Sequence, residues 1–248
     1  MKRRLLLALL PLSLAHAAPL PVMVEDAASP WSNSNGSGYA NAIVRAAFDA
    51  AGVPIKLIVV PYARCKASVL AGEAAACFNM AWEPALRGQV TFSSQPIFSS
   101  EARVYTASGN TRAGAASLDE IPAGSSIGLV NGYEYPRSLD SIGSRLRIDY
   151  ANNESMLLRK LLAGRIQYAV LIIDAKKTEQ RLLTGAGIAP QQLRYLFTAG
   201  SQGSYIGFSS KHPQGERARL RFEQGMQQIR ARIPQIIAGD GAAPLSGH

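Results

Sequence analysis

One local pattern occurs twice in this chain and restricts its fold more than any other feature. Residues 64–80 read RCKASVLAGEAAACFNM, and residues 158–173 read LRKLLAGRIQYAVLII. In each, an apolar helical stripe runs into Leu-Ala-Gly and then, within a few residues, into a run of strand formers. Gly72 and Gly164 stand where a helix closes through a left-handed residue, a conformation that costs glycine little. Two equivalent helix–strand units predict two similar α/β lobes, and a crevice between two lobes is a natural seat for a small ligand.

The segments between the two copies fit that plan. Pro21–Glu25 reads as a first strand that delivers Glu25 to its C-terminal end. Ile43, Val44, Ala47 and Phe48 share one face of a helix spanning about Tyr39–Ala51, which Gly52 and Pro54 end. Ile55–Val60 is expected as a buried second strand, and the order strand, helix, strand predicts a parallel sheet. Residues 90–94 and 97–106 are extended, and the polar stretch Ala107–Gly114 is expected to cross into the second lobe. There the pattern restarts with a strand at 127–130, a loop at Asn131, a helix from about Pro136 and a short strand at 147–150. Residues 182–195 read as helix and turn. Ser204–Ser209 reads as a strand and Gly215–Arg232 as a polar helix, both returning to the first lobe.

The first seventeen residues, MKRRLLLALLPLSLAHA, join a basic start to a short apolar stretch and small residues at Ala15 and Ala17, the signature of a cleaved secretory leader. Nothing later approaches the roughly 20 apolar residues of a membrane helix. The expectation is a signal peptide at 1–17, a soluble exported domain at 18–240 and a disordered tail at 241–248. Within the domain, lobe I is read as 18–104 plus 203–240 and lobe II as 105–202. The periplasm is the expected compartment.

The formal charge is +9, with Lys2, Arg3 and Arg4 in the leader and the remaining bases scattered. Without a basic stripe, no nucleic-acid partner is expected. The three histidines, His16, His212 and His248, are dispersed, and no G-x-x-x-x-G-K-[ST] run occurs. Accordingly no catalytic residue, metal site or cofactor is expected. The two cysteines are Cys65, early in the first repeat's helix, and Cys77, in its strand. An oxidising compartment lets them pair and staple that unit, the alternative being two buried thiols.

Three runs carry a family resemblance: Pro61-Tyr-Ala-Arg64, Leu70-Ala-Gly-Glu-Ala, and EPALRGQVTFSSQPIF from Glu83 to Phe98. With Trp31 after the first strand, Gly38-Tyr39 before the first helix and the late Tyr-Ile-Gly-Phe-Ser strand, they resemble the family 3 extracellular solute-binding proteins. These are type II periplasmic binding proteins serving ABC importers of polar amino acids. The resemblance implies an α/β, two-lobed fold, each lobe a mainly parallel sheet flanked by helices, joined by two hinge crossings near Val104–Asn110 and Ala199–Gly203. It also implies a monomer that hands its solute to an ABC permease in the inner membrane.

In that family an arginine six residues before the Phe-Ser pair holds a ligand carboxylate, and an acid late in the strand after the second Leu-Ala-Gly holds the ligand amine. Here those positions are Leu86 and Ile172, with Arg87 adjacent and Asp174 two residues on. A one-residue gap would restore Arg87, and strand alternation keeps Asp174 on the face of Ile172. Family geometry selects Glu25, Trp31, Tyr62, Asn79, Trp82 and Arg87 on the first lobe, and Asn131, Tyr133, Tyr135 and Asp174 on the second. Trp31 and Tyr62 are the expected stacking aromatics, against loop packing and a helix-start core role. Glu25 is the expected amine partner, and Asp174 an amine or cation partner, against a surface ion pair. The set suits a small polar or aromatic-bodied solute, amino-acid-like or a derivative. An envelope accessory or sensor protein that keeps the fold without transport is the alternative.

Overall fold

Both copies of the repeated pattern form the helix–strand unit that their residues specify. The computed structural model describes residues 18–239; the expected leader at 1–17 and tail at 241–248 lie outside the described residues. The first half of the chain contains β1 (Leu20–Glu25), β2 (Ala27–Ala28), β3 (Ser32–Asn33), α1 (Tyr39–Ala50), β4 (Ile55–Val60), α2 (Tyr62–Ala71), β5 (Ala76–Met80), β6 (Val90–Phe92) and β7 (Phe98–Ala107). The rest contains β8 (Ser126–Val130), β9 (Arg147–Ala151), α3 (Glu154–Leu162), β10 (Tyr168–Ile173), α4 (Glu179–Ala186), β11 (Leu193–Ser209), α5 (Gly215–Ile229) and α6 (Ile233–Gly239). α2 ends on Gly72 at φ 83°, and Gly164, just past α3, has φ 68°, so both Leu-Ala-Gly stops use the left-handed conformation.

The strands follow the order β4-β1-β5-β11-β7-β10-β8-β9, with β6 beside β11. β4, β1 and β5 are mutually parallel, as are β10, β8 and β9. The long antiparallel strands β7 and β11 run between these two parallel halves. The two-lobed expectation is realised in this arrangement: each half is a parallel sheet with its own helices, and β7 and β11 pass from one to the other.

Several elements differ from the sequence reading. β4 is the edge strand and only half-buried, because nothing pairs on its outer side. The helix expected from Pro136 is instead two single 3₁₀ turns, Arg137–Leu139 and Ile142–Ser144. Asp140, Ser141 and Gly143 are poor helix formers, and they leave too few residues for a stable α-helix. Ala107–Gly114 is the end of β7 and the turns beyond it. Val104 already pairs with Val170, and Glu101 with Ile173, inside the second parallel half. Ala199–Gly203 lies within the 17-residue β11, of which the sequence reading found only the last six residues.

Burial follows the expected stripes. Ile43, Val44, Ala47 and Phe48 of α1 are fully buried, and Phe48 packs on Phe222 of α5 with ring centroids 5.5 Å apart. On the other face of the first half, Val69, Met80 and Leu86 surround a Cys65–Cys77 disulfide whose Cα atoms are 5.7 Å apart. The bridge ties α2 to β5, and closing so short a loop removes on the order of 3 kcal/mol of unfolded-chain entropy. Among the described residues no helix is long and apolar enough to cross a membrane.

Candidate functional site

A parallel strand presents its C-terminal end to whatever adjoins the sheet there, and open α/β folds place ligands at such ends. Glu25 closes β1 and Asn79 lies near the end of β5, while Tyr133 and Glu134 follow β8 and Asp174 follows β10. These four ends meet. Glu25 accepts hydrogen bonds from Asn79 Nδ2 at 2.8 Å and from the Tyr133 hydroxyl at 2.8 Å, the latter crossing between the halves. Asn79 has φ 67°, a left-handed conformation that asparagine tolerates better than most residues.

Glu25 is 3% exposed, and burial lifts its carboxyl from 4.5 to about 7, with the Lys177 charge and the Tyr133 and Asn79 hydrogen bonds offsetting part of that rise. It has no ion-pair partner among the described residues. Asn79 Oδ1, beside it, is buried without a donor. A cavity of about 20 Å³ adjoins the pair, lined by Glu25, Trp31, Asn79, Tyr133, Glu134 and Ile172, with Ser100, Gln202 and Ser204 from the crossing strands. A larger depression of about 620 Å³ lies against Leu161, Gly164 and Gln192, but no charged or aromatic side chain lines it.

Glu134 is the second buried acid of the seam. Its Oε2 accepts from the Tyr62 hydroxyl and, at 3.2 Å, from the Ala81 N–H, both in the first half. Lys66 Nζ lies 3.0 Å from Glu134 Oε1 and 2.6 Å from Glu83. Burial raises the Glu134 carboxyl, and Lys66 and Tyr62 pull it back. Tyr62 is raised as well, by burial and then by the Glu134 charge.

Asp174 forms a third connection. Its Oδ2 accepts from Trp31 Nε1 at 2.6 Å and from the Tyr39 hydroxyl, and its Oδ1 accepts from the backbone N–H groups of Lys176 and Lys177 at 2.7 and 2.6 Å. Lys177 is fully buried, with Nζ 3.7 Å from the centre of the Trp31 ring and 2.6 Å from Glu154 Oε2. The contacts that hold that ammonium are the Glu154 charge and the Trp31 ring face. Trp31 also packs on Phe98, with ring centroids 4.8 Å apart.

The position of Trp31 is fixed by the start of α1. That helix has no side-chain cap; the N–H groups of Tyr39 and Ala40 donate instead to the carbonyls of Pro30 and Trp31 at 3.1 and 3.2 Å. Such close approach needs Gly38, whose φ is 129° and where an added Cβ would lie 2.3 Å from the Trp31 carbonyl oxygen. Gly38→Ala is expected to cost about 2–3 kcal/mol and to shift Trp31 fluorescence by detaching the indole from Asp174. Urea melts and emission spectra check both; an unchanged spectrum would refute the coupling.

Of the residues selected from sequence, Glu25, Trp31, Tyr62, Asn79, Tyr133 and Asp174 converge on this seam. Trp82 sits at its rim, 39% exposed, with the Arg137 guanidinium 4.7 Å from its ring centre. Tyr135 accepts the Val130 N–H at 2.8 Å and so holds the loop after β8. Arg87 and Asn131 are exposed and join no seam contact. Leu86 is buried beside the disulfide, so a turn at Pro84–Leu86 sends Arg87 outward. The sequence reading missed Tyr39, Lys66, Glu134, Glu154 and Lys177 as members. Only Glu134 left a signal, an acid set between two selected tyrosines.

This arrangement is the fold of the type II periplasmic binding proteins, the architecture expected of a family 3 solute-binding protein. An ancestral arginine-binding protein bound to arginine superposes with TM-score 0.73 at 14% identity, covering 90% of this chain and 98% of its own. The arginine-, lysine-, histidine-binding protein ArtJ from Geobacillus stearothermophilus gives 0.73 at 13% identity over 92% and 97%. A histidine kinase sensor domain with similarity to periplasmic binding proteins gives 0.74 at 16% identity over 89% and 94%. No protein-family model matches the sequence, and no curated protein matches it.

Proposed function

We propose that this protein is an exported, monomeric solute-binding protein of the family 3 type, working in the periplasm without catalysis. It captures a small polar or aromatic-bodied solute, amino-acid-like or a derivative, for an ABC permease. The observation that carries the reading is the seam itself: strand-end side chains of both parallel halves meet around two buried carboxylates, through Glu25–Tyr133, Tyr62–Glu134 and Trp31–Asp174. Pairing of Glu101 with Ile173 and of Phe98 with Ser204 supports crossings at about residues 98–101 and 202–204, with lobe I before and after them and lobe II between.

A thermal-shift screen of refolded, ligand-stripped protein against amino acids, opines, polyamines, organic acids and aromatic acids tests the reading. At a concentration 100-fold above Kd, a true solute adds about 2.7 kcal/mol, or roughly 5–10 °C in Tm. Absence of any concentration-dependent rise in folded protein would count against solute capture. The second reading, an envelope accessory or sensor protein, is favoured by the sensor-domain neighbour. Location of the gene beside permease and ATPase genes separates the two.

A further inference from the structure

Three observations at the seam bear on the chemistry of the solute, given the solute-capture reading on which this inference rests. Glu25 is buried, yet its hydrogen-bond donors, Asn79 and Tyr133, are neutral, and no cation lies within ion-pair distance among the described residues. The adjoining cavity is lined by two carboxylates and by no lysine or arginine, and its one unfilled amide atom, Asn79 Oδ1, is an acceptor. Nearby, the chain's own Lys177 already sets an ammonium between the Trp31 ring and the Glu154 carboxylate. The cavity beside Glu25 is therefore lined by acceptors and by no cation of its own, the nearby Lys66 and Lys177 being paired with other acids.

We propose that the cleft selects an organic primary amine without a carboxylate, its ammonium donating to Glu25 and Asn79 Oδ1 and its body lying against Tyr133. An ammonium brings a positive charge to a buried carboxylate whose donors are both neutral, and a donor to the buried Asn79 Oδ1 that has none. A carboxylate on the solute would meet Glu25 and Glu134, with no base among the described residues of the seam free to receive it. Leu86 is core and Arg87 exposed, while Lys66 is paired with Glu83 and Glu134 and Lys177 with Glu154. The raised Glu25 carboxyl agrees with this, since an arriving cation favours its ionised form. The cavity of about 20 Å³ admits a head group only, so entry of the solute's body requires the Tyr133 loop to move outward.

Isothermal titration at pH 8 with three matched pairs isolates the carboxylate: agmatine with L-arginine, cadaverine with L-lysine, tyramine with L-tyrosine. At least one amine is expected to bind tenfold or more tightly than its parent amino acid. Glu25→Gln should weaken that amine about 100-fold, as loss of one partner of a buried charge pair does, while Arg87→Ala leaves it unchanged. An amino acid that outbinds its amine, an organic acid that binds when no amine does, or loss of binding in Arg87→Ala overturns the amine assignment and leaves solute capture standing. Silence from these pairs and from every class in the thermal-shift screen removes both. Should Glu25→Gln not fold, the ranking within the pairs on the unaltered protein decides alone.

Discussion

Replacing Lys177 by methionine is expected to cost about 3–5 kcal/mol, because it strands Glu154 as a buried charge. Lys177 is 0% and Glu154 4% exposed, so neither charge has water to fall back on. Glu154 opens α3 and accepts the Ile172 N–H at 3.4 Å, and the helix N-terminus gives its carboxylate only partial compensation. Methionine matches the lysine stem and still fills the space against Trp31, so the loss reports charge rather than volume. The double variant Lys177→Met, Glu154→Gln is expected to recover more than half of it, since removing both charges also removes their desolvation. Urea denaturation of the two single variants and the double measures this directly. A cost below about 1 kcal/mol for Lys177→Met would show that the pair is solvated, and the description of a dry seam would fall.

The opposite sign is expected at Glu25, the buried acid without a base. Its carboxyl rises from 4.5 to about 7 on folding, so between these values the native protein holds a proton that the unfolded chain releases. Glu25 therefore favours the fold fully below about pH 4.5, and that advantage is lost as pH rises through about 7. The difference amounts to roughly 3 kcal/mol. Glu134, also raised, acts in the same direction. Glu25→Gln should remove most of this slope and leave the variant about 3 kcal/mol more stable than the parent at pH 8, or roughly 6–12 °C in Tm. A glutamine amide also has an acceptor waiting in Asn79 Oδ1. Thermal melts of both proteins at pH 5 and pH 8 decide the matter. Parallel profiles would mean that Glu25 is ionised at no cost, against its burial. A gain in stability together with lost solute affinity is the trade expected of a binding residue.

The two prospective variants share a cause that also explains which parts of the site were legible. Glu25, Asn79, Tyr133 and Asp174 reach the seam from the C-terminal ends of strands with recognisable apolar runs, the ends that the family resemblance singles out. Trp31 and Tyr62 were readable from the family resemblance. Lys66, Glu154 and Lys177 were not, because a charged residue in a helix or loop is ordinarily solvated and nothing in their neighbours marks them otherwise. Arg87 stands outside the seam for a local reason. The 3₁₀ turn at Pro84–Leu86 gives Leu86 to the core and turns the next side chain to solvent. β11 was read short because Gly200, Gln202 and Gly203 interrupt its strand pattern, yet pairing with β7 carries it through them.

What the sequence by itself determined is set by contacts a few residues long, although not every local expectation held, since the helix expected from Pro136 forms only two 3₁₀ turns. The Leu-Ala-Gly stops, the α1 stripe and the Cys65–Cys77 spacing each express a local periodicity or cap, and each formed as read. The tertiary structure alone decided which ionisable groups lose their water. That depends on the loops at 26–38, 131–136 and 174–178 meeting across the seam, where the same Asp174 receives Trp31 and Tyr39 from far away in the chain. Desolvation is a property of the assembled cleft, and no window of sequence contains it.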